Sequence, residues 1–385
     1  MSEPQGPLKG IKVVEMAGLG PAPYAAMLLA DAGADVVRVD RHPPSPTSAS
    51  SDGPWWDLLT RSRKSIAIDI KKAEGIEVLL DLVESADALV EGFRPGVAER
   101  LGFGPDVCFA RNERLVYGRM TGWGQEGPLA QSAGHDIDYI AVAGALWPIG
   151  RAGEAPVPPL NLVGDFGGGG MMLAFGVTAA ILEARSSGKG QIVDAAMVDG
   201  AASLMMMTFA FRQIGLWGDG RGDNLLDSGA PHYEVYETSD GKWFAVGAIE
   251  PQFYAKLVEL IGLDIAALPA QNDRSRWPEV KQKFAAIFKE RSRDDWAKVF
   301  EGTDGCGAPV LSPWEAHEHP HNRARQTYVE IDGVVQPGPA PRFGRTPAKV
   351  NKPPSRPGTD TDEVLCSWGI GEEQIARLRE RDAIR

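Results

Sequence analysis

Ile11-Lys-Val-Val-Glu-Met-Ala-Gly-Leu-Gly-Pro-Ala-Pro-Tyr-Ala-Ala-Met-Leu-Leu-Ala-Asp-Ala-Gly-Ala-Asp-Val-Val-Arg-Val-Asp-Arg41 is the stretch on which the fold turns. Residues 11–16 are an apolar run of strand type, Gly18-Leu-Gly-Pro-Ala-Pro23 is turn chemistry, residues 24–32 carry helical periodicity, and residues 35–40 form a second strand ending on an acid. Further strand-type runs follow at 65–70, 88–93 and 115–120, with a helical pattern at 74–84. Strands alternating with helices predict an α/β fold, a Rossmann-like large domain with a mainly parallel sheet. The opening also imitates a dinucleotide fingerprint, but Pro23 stands where the third glycine should be and Arg41 follows the acid Asp40 directly. The fold can be Rossmann-like without that cofactor.

Beyond residue 170 the pattern predicts a long buried helix at 171–184, a strand at 191–195 and a helical run at 200–214, with Met205-Met-Met207 in its core. Residues 218–229 read as loop, 243–247 as strand, and 252–261 and 277–290 as helices of a smaller α/β domain. Prolines crowd residues 336–357, as in an extended return segment, and a short helix is expected at 371–379.

A chain of 385 residues, 43% of them apolar, buries a core without disulfides. Three widely spaced cysteines argue for a reducing compartment and against a structural zinc site. No apolar signal region is seen in residues 1–10, no targeting tripeptide at the end, and the apolar stretch 171–182 is too short to span a bilayer, so a cytoplasmic protein without a membrane partner is expected. A net charge of −12 disfavours nucleic acid. One run, Arg61 to Lys72, holds five basic residues against one acid. It is either a solvated strand flank or a local site for a small polyanion.

Three places could carry chemistry. In Ala133-Gly-His-Asp-Ile-Asp-Tyr139, His135 is followed by two carboxylates, which suits a general base and equally suits a histidine at a helix start. In Asn161-Leu-Val-Gly-Asp-Phe-Gly-Gly-Gly-Gly170, an acid and four glycines run into a helix, as at an oxyanion site or as a cap with tight packing. Glu250 ends a strand ahead of Pro251 and is either an active-site acid or a helix cap. His317, His319 and His321 alternate, but Pro320 interrupts them and a fourth metal ligand is missing.

Taken together these motifs resemble the α-methylacyl-CoA racemases of the family III CoA-transferase superfamily. The likeness runs from Val13-Val-Glu-Met through Asp35-Val-Val-Arg-Val-Asp-Arg41, Glu91-Gly-Phe-Arg-Pro-Gly-Val97, Arg119-Met-Thr-Gly-Trp-Gly-Gln125 and Gly134-His-Asp-Ile137. It continues in Pro159-Leu-Asn-Leu-Val-Gly-Asp-Phe166, Asp194-Ala-Ala-Met-Val-Asp-Gly200 and Ala245-Val-Gly-Ala-Ile-Glu-Pro-Gln-Phe253. The resemblance implies a large domain over 1–200, a linker over 201–224, a small domain over 225–329, a segment 330–385 returning to the large domain, and two interlocked chains in a homodimer. It implies His135 and Asp165 as the catalytic pair. It matches Arg41, Ile68, Asp69, Ile70, Lys71, Arg100, Gly134, Ile137, Asp138 and Tyr139 to substrate-contacting positions.

On that reading the substrate is a 2-methyl-branched acyl-CoA. Inverting its α-carbon takes two groups on opposite faces, neutral His135 and protonated Asp165, the latter held protonated by burial. Asp136 and Glu250 would orient His135, and the 167–170 backbone would face the enolate oxygen. No metal or redox cofactor is called for. The alternative is a CoA-transferase using Asp165 as nucleophile. The chain departs from the family pattern at Asp138, where asparagine is usual, at His232, where an aromatic is usual, and at Cys306-Gly-Ala-Pro309. The added carboxylate of Asp138 is expected to favour the charged form of His135.

Overall fold

The computed structural model describes residues 5–43 and 57–385, so residues 1–4 of the stretch read as lacking a signal region lie outside them. Six strands form one sheet: β1 (Lys12–Met16), β2 (Asp35–Arg41), β3 (Lys64–Ile68), β4 (Ala88–Glu91), β5 (Val116–Thr121) and β6 (Ile192–Ala196). Every pairing is parallel and the spatial order is β3-β2-β1-β4-β5-β6. Successive residues of a strand point to opposite faces, so in β1 Val14 joins one apolar layer with Val37, Ile66 and Leu79. Val13 joins the other, with Ala26, Val90, Leu173 and Val177. Parallel strands covered on both faces lose the polar alternation of an exposed sheet, which is why these runs read as continuously apolar.

The helix after β1 begins at Pro21, three residues earlier than its periodicity predicted, because proline is well placed in a first turn where its missing N–H is not needed. Order reverses between β1 and β4, and the crevice beyond the carboxyl ends of strands at such a reversal is where α/β sheets hold ligands.

The chain divides into two compact units. Of the described residues, the first takes those within 5–43, 57–143, 160–204 and 320–385, the second 144–159 and 205–319. Residues 201–224, read as a linker, hold the end of one helix (Met197–Leu204) and the whole of another (Met206–Gln213). The proline-rich return lies along the first unit: Ser62 N–H donates to the Lys352 carbonyl, Asp360 N–H to the Ser65 carbonyl and Asp69 N–H to the Ala383 carbonyl.

Apart from Lys71, the cations of the basic run are paired, so most of it is neither a solvated flank nor a free anion site. Arg61 is buried on Asp31 at 2.7 Å and on Gln336 and the Pro337 carbonyl, and Arg63 is buried on Glu15 at 2.6 Å. Of its cations only Lys71 is largely exposed.

Two helical readings need correction. The helix Met171–Ser187 buries Leu173, Val177 and Ile181 but leaves Phe175 73% and Leu182 71% exposed, so it is covered on one side only. With the π-helix before it, the helical run reaches from Leu162 to Ser187. That is long and apolar enough to cross a membrane by length and composition, although its sheet-facing side is that of a core helix. The methionine run is not core: the Met206–Gln213 helix has no buried residue, and Met206 and Met207 are exposed.

In the second unit three strands, β7 (Tyr233–Glu237), β8 (Trp243–Gly247) and β9 (Gly307–Pro309), form an antiparallel sheet whose core includes Phe244, Phe284, Phe288 and Trp296. His232 is fully buried here, its ring centroid 5.3 Å from that of Tyr254 and 6.1 Å from that of Trp277, with neither ring nitrogen bonded among the described residues. It fills the place of an aromatic. Burial pushes its pKa down to about 4. The unfolded chain therefore takes up a proton near pH 6.5 that the folded chain refuses until about pH 4, and His232 costs stability progressively as pH falls through that window. His232→Phe is expected to raise stability by about 1 kcal/mol near neutrality, through removal of an unsatisfied buried polar group. The gain should widen as pH falls from 6.5 to 4. Urea midpoints taken across this range check it, and a pH-independent difference would contradict it.

Candidate functional site

At the carboxyl ends of β1, β4 and β5 a cavity of ≈ 570 Å³ opens in the first unit. Its walls include residues 18–22 after β1, 92–95 after β4, Met120 and Thr121 ending β5 with Gly122 and Trp123 beyond, and His135, Tyr139, Asn161 and Asp165. It sits where the strand order reverses.

His135 occupies the N-cap position of the short helix Asp136–Val142. Tyr139 fixes the loop before it: its hydroxyl donates to the Gly134 carbonyl and its ring stands edge-on to Trp123 with centroids 4.9 Å apart. Gly122 is required for this packing, since a Cβ there would lie 2.0 Å from the Tyr139 ring. The imidazole is exposed, and among the described residues no side chain hydrogen-bonds to it.

Asp138 does something other than the sequence suggested. Its carboxylate accepts from the His135 backbone N–H at 2.9 Å, capping the helix, a bond that the usual asparagine can also make. Asp136 makes no hydrogen bond to the imidazole: it is buried, and its Oδ2 accepts from the Asp165 backbone N–H at 2.7 Å. It therefore ties together the two segments that carry His135 and Asp165.

Asp165 is half-buried, with Oδ2 accepting from Asn161 at 3.1 Å. Burial is the largest influence on it and raises its pKa; the Asn161 bond and the His135 charge oppose this, and Asp136 adds to it. The carboxyl faces Gly20, whose φ of 70° and closeness to Oδ2 (3.3 Å from a Cβ placed there) leave room for glycine only.

The glycine run is not an open anion loop. Residues Leu162–Gly170 form a π-helix continuous with the next helix, so the helix start lies at Leu162 and the 167–170 amides are inside it. The glycines serve packing: a Cβ at Gly168 would lie 2.6 Å from the Ala201 nitrogen, and one at Gly170 2.8 Å from the Pro21 carbonyl. In the first turn after His135 the Asp138 N–H donates to the His135 carbonyl at 2.9 Å, so the amides without an intrahelical acceptor there are those of Asp136 and Ile137.

The remaining sequence-predicted residues are placed elsewhere. Arg41 and Lys71 are exposed at and just beyond the carboxyl ends of β2 and β3, and Arg100 is exposed on the Val97–Leu101 helix. Ile68 is fully buried and bridges Ile384, Asp69 accepts from the Lys71 N–H at 3.1 Å, and Ile70 packs against the core, so their side chains are structural. Ile137 and Asp138 are exposed, and neither lines the cavity, whereas Gly134 and Tyr139 do. Glu250 is exposed in the second unit, at the start of the Pro251–Leu260 helix, where its side chain makes no capping bond. Among the described residues no group of three or more His, Cys, Asp or Glu is placed to hold a metal. Sequence reasoning missed Leu19, Arg94, Trp123 and Asn161 as cavity walls. The strand-order rule would have found Leu19 and Arg94, since both follow the strands at the reversal.

The CoA-transferase family III model matches residues 8–362. Alpha-methylacyl-CoA racemase of Mus musculus is 45% identical over 96% of both chains, and that of Homo sapiens 44% identical over 96% of both. Among solved structures, a CaiB/BaiF family protein from Brucella suis aligns with a TM-score of 0.79 at 23% identity, covering 94% of this chain and 100% of that one, a likeness of fold. With the parallel sheet that the sequence predicted and the match running through both compact units, this chain belongs to the CoA-transferase family III.

Proposed function

We propose that this protein is an alpha-methylacyl-CoA racemase, inverting the α-carbon of 2-methyl-branched acyl-CoA thioesters by two-base proton transfer, with no resident metal or redox cofactor. The observation that carries the reading is the placing of an exposed imidazole and a half-buried, protonation-prone carboxyl on one cavity, His135 and Asp165. Neutral His135 Nε2 or Nδ1 takes the α-proton from one face while protonated Asp165 returns one to the other, and the roles exchange for the opposite enantiomer. Burial raises the Asp165 pKa, the direction that favours the proton it must hold. The Asp136 backbone amide, directly after the cavity residue His135, rather than the glycine run, is the donor for the developing enolate oxygen.

Arg41, Lys71 and Arg100 are assigned to the phosphates of CoA on their exposure and charge, and the 134–139 segment to the acyl thioester. Within each unit large apolar side chains stand in water: Phe175, Leu182 and Leu204 in the first, Met206, Phe209, Ile214 and Leu216 in the second. A second copy of the chain is the proposed cover, giving a homodimer. A cytoplasmic location goes with the three free cysteines.

The test is proton NMR of a 2-methylacyl-CoA incubated with protein in deuterium oxide and a chelator. Inversion with incorporation of solvent deuterium at the α-carbon is expected. Inversion with retained α-proton would overturn the two-base scheme, and CoA transfer to an added carboxylate with a hydroxylamine-trapped Asp165 would replace the reading by its transferase alternative.

A further inference from the structure

Glu91 ends β4 and is completely buried, yet nothing in the proton-transfer scheme uses it. Its Oε2 accepts from the Phe93 backbone N–H at 2.6 Å, and its Oε1 from Arg119 Nε at 3.1 Å. Arg119 stands beside Glu91 in the sheet and spends its other two nitrogens on Glu99, at 2.9 and 3.3 Å. The next four residues, 92–95, are a wall of the cavity and include its arginine, Arg94. One carboxylate thus pins the first turn of that wall to the sheet.

We propose that Glu91 is a positioning residue, whose ionised carboxylate holds the 92–95 wall and its Arg94 in place for an acyl-CoA, so that binding rather than proton transfer depends on its charge. The inference rests on the acyl-CoA reading for its ligand, but the order of the wall does not. The titratable and charged groups packed on Glu91 are Arg119 and Tyr117 of β5 and Glu99 of the Val97–Leu101 helix. Burial raises its pKa to about 7, against the Phe93 amide and Arg119, which pull it down. An acceptor pair committed to two donors loses one acceptor site when it takes a proton. The hold on Phe93 therefore tightens as pH rises through about 7 and slackens below it.

The experiment compares the natural chain with Glu91→Gln, keeping Glu99→Gln as a control that disturbs Arg119 without touching the Phe93 amide. Hydrogen exchange of the peptide spanning 92–96, corrected for intrinsic rate, is read from pH 6 to 8.5, alongside CoA binding by calorimetry and turnover at saturation. Expected for the natural chain is protection of the Phe93 amide that rises about tenfold across pH 7. In Glu91→Gln it is low and flat, with CoA binding weakened five- to tenfold at pH 8 and saturated turnover within twofold. Equal, pH-independent protection in both proteins would overturn the proposal. So would a loss of saturated turnover without a change in binding, or Glu99→Gln reproducing the full effect. Failure of the racemase reading would instead appear as a natural chain that shows the exchange profile but neither binds CoA nor inverts substrate.

Discussion

His135→Ala is expected to lower the rate of inversion by about 10²- to 10⁴-fold, the usual worth of a positioned acid–base group, while leaving the affinity for CoA within about twofold. The side chain is exposed and its one structural part is in the capping box of a short helix, so its loss should cost no more than about 1 kcal/mol of stability. The residual chemistry is as informative as the loss. With the imidazole gone, Asp165 can still remove the α-proton from the enantiomer presented to it and return a solvent deuteron to the same face. Exchange without inversion should then survive for one enantiomer only. Asp165→Asn should show the mirror result, with exchange confined to the other enantiomer. Following both antipodes by NMR and chiral separation checks this. If His135→Ala lost exchange equally from both antipodes, or if it unfolded, the histidine would be a cap of its helix and the two-base scheme would fall.

The sheet was legible because its evidence is local. Val13-Val14 and Val36-Val37 show both faces buried, and Pro21, Pro23 and Gly33 bracket the helix between them. His135 and Asp165 were legible as unusual residues beside glycine, but not the link between them, since nothing local says that Asp136 will reach the Asp165 amide 29 residues away. The same limit explains the misread basic run. Arg61 and Arg63 meet Asp31 and Glu15, respectively 30 and 48 positions distant, and a composition window cannot see partners at that range. The glycine run had two local explanations, an open anion loop or close helix packing. Only the tertiary approach of residues 200–201 to Gly168 decides for packing.

Breaking the Glu15–Arg63 pair is expected to have the largest effect on stability of any single change in the first unit. Both side chains are completely or almost completely buried, Arg63 Nη1 donates to Glu15 Oε2 at 2.6 Å and to the Pro23 carbonyl at 3.0 Å, and the remaining polar atoms of the pair have no partner among the described residues. Burial is the first influence on each, pushing Glu15 up and Arg63 down, so each charge is tolerated only because the other is there. Arg63→Met strands the carboxylate and should cost about 3–5 kcal/mol. The pH dependence has a definite sign. A stranded Glu15 binds a proton in the folded chain at a pH where the unfolded carboxyl has already lost it, so the penalty grows as pH rises above about 4.5 and shrinks in acid. Glu15→Leu with Arg63→Met removes both charges and should recover most of the loss, because desolvation no longer opposes folding. The same pair ties β1 to the Pro23 backbone, hence to the 18–22 wall of the cavity, so the single variant should also weaken substrate binding where it still folds. Urea midpoints of the single and double variants at pH 5 and pH 8 measure all of this. A single variant within about 1 kcal/mol of the natural chain, or a double variant no better than the single, would show that the pair is not the constraint its burial makes it.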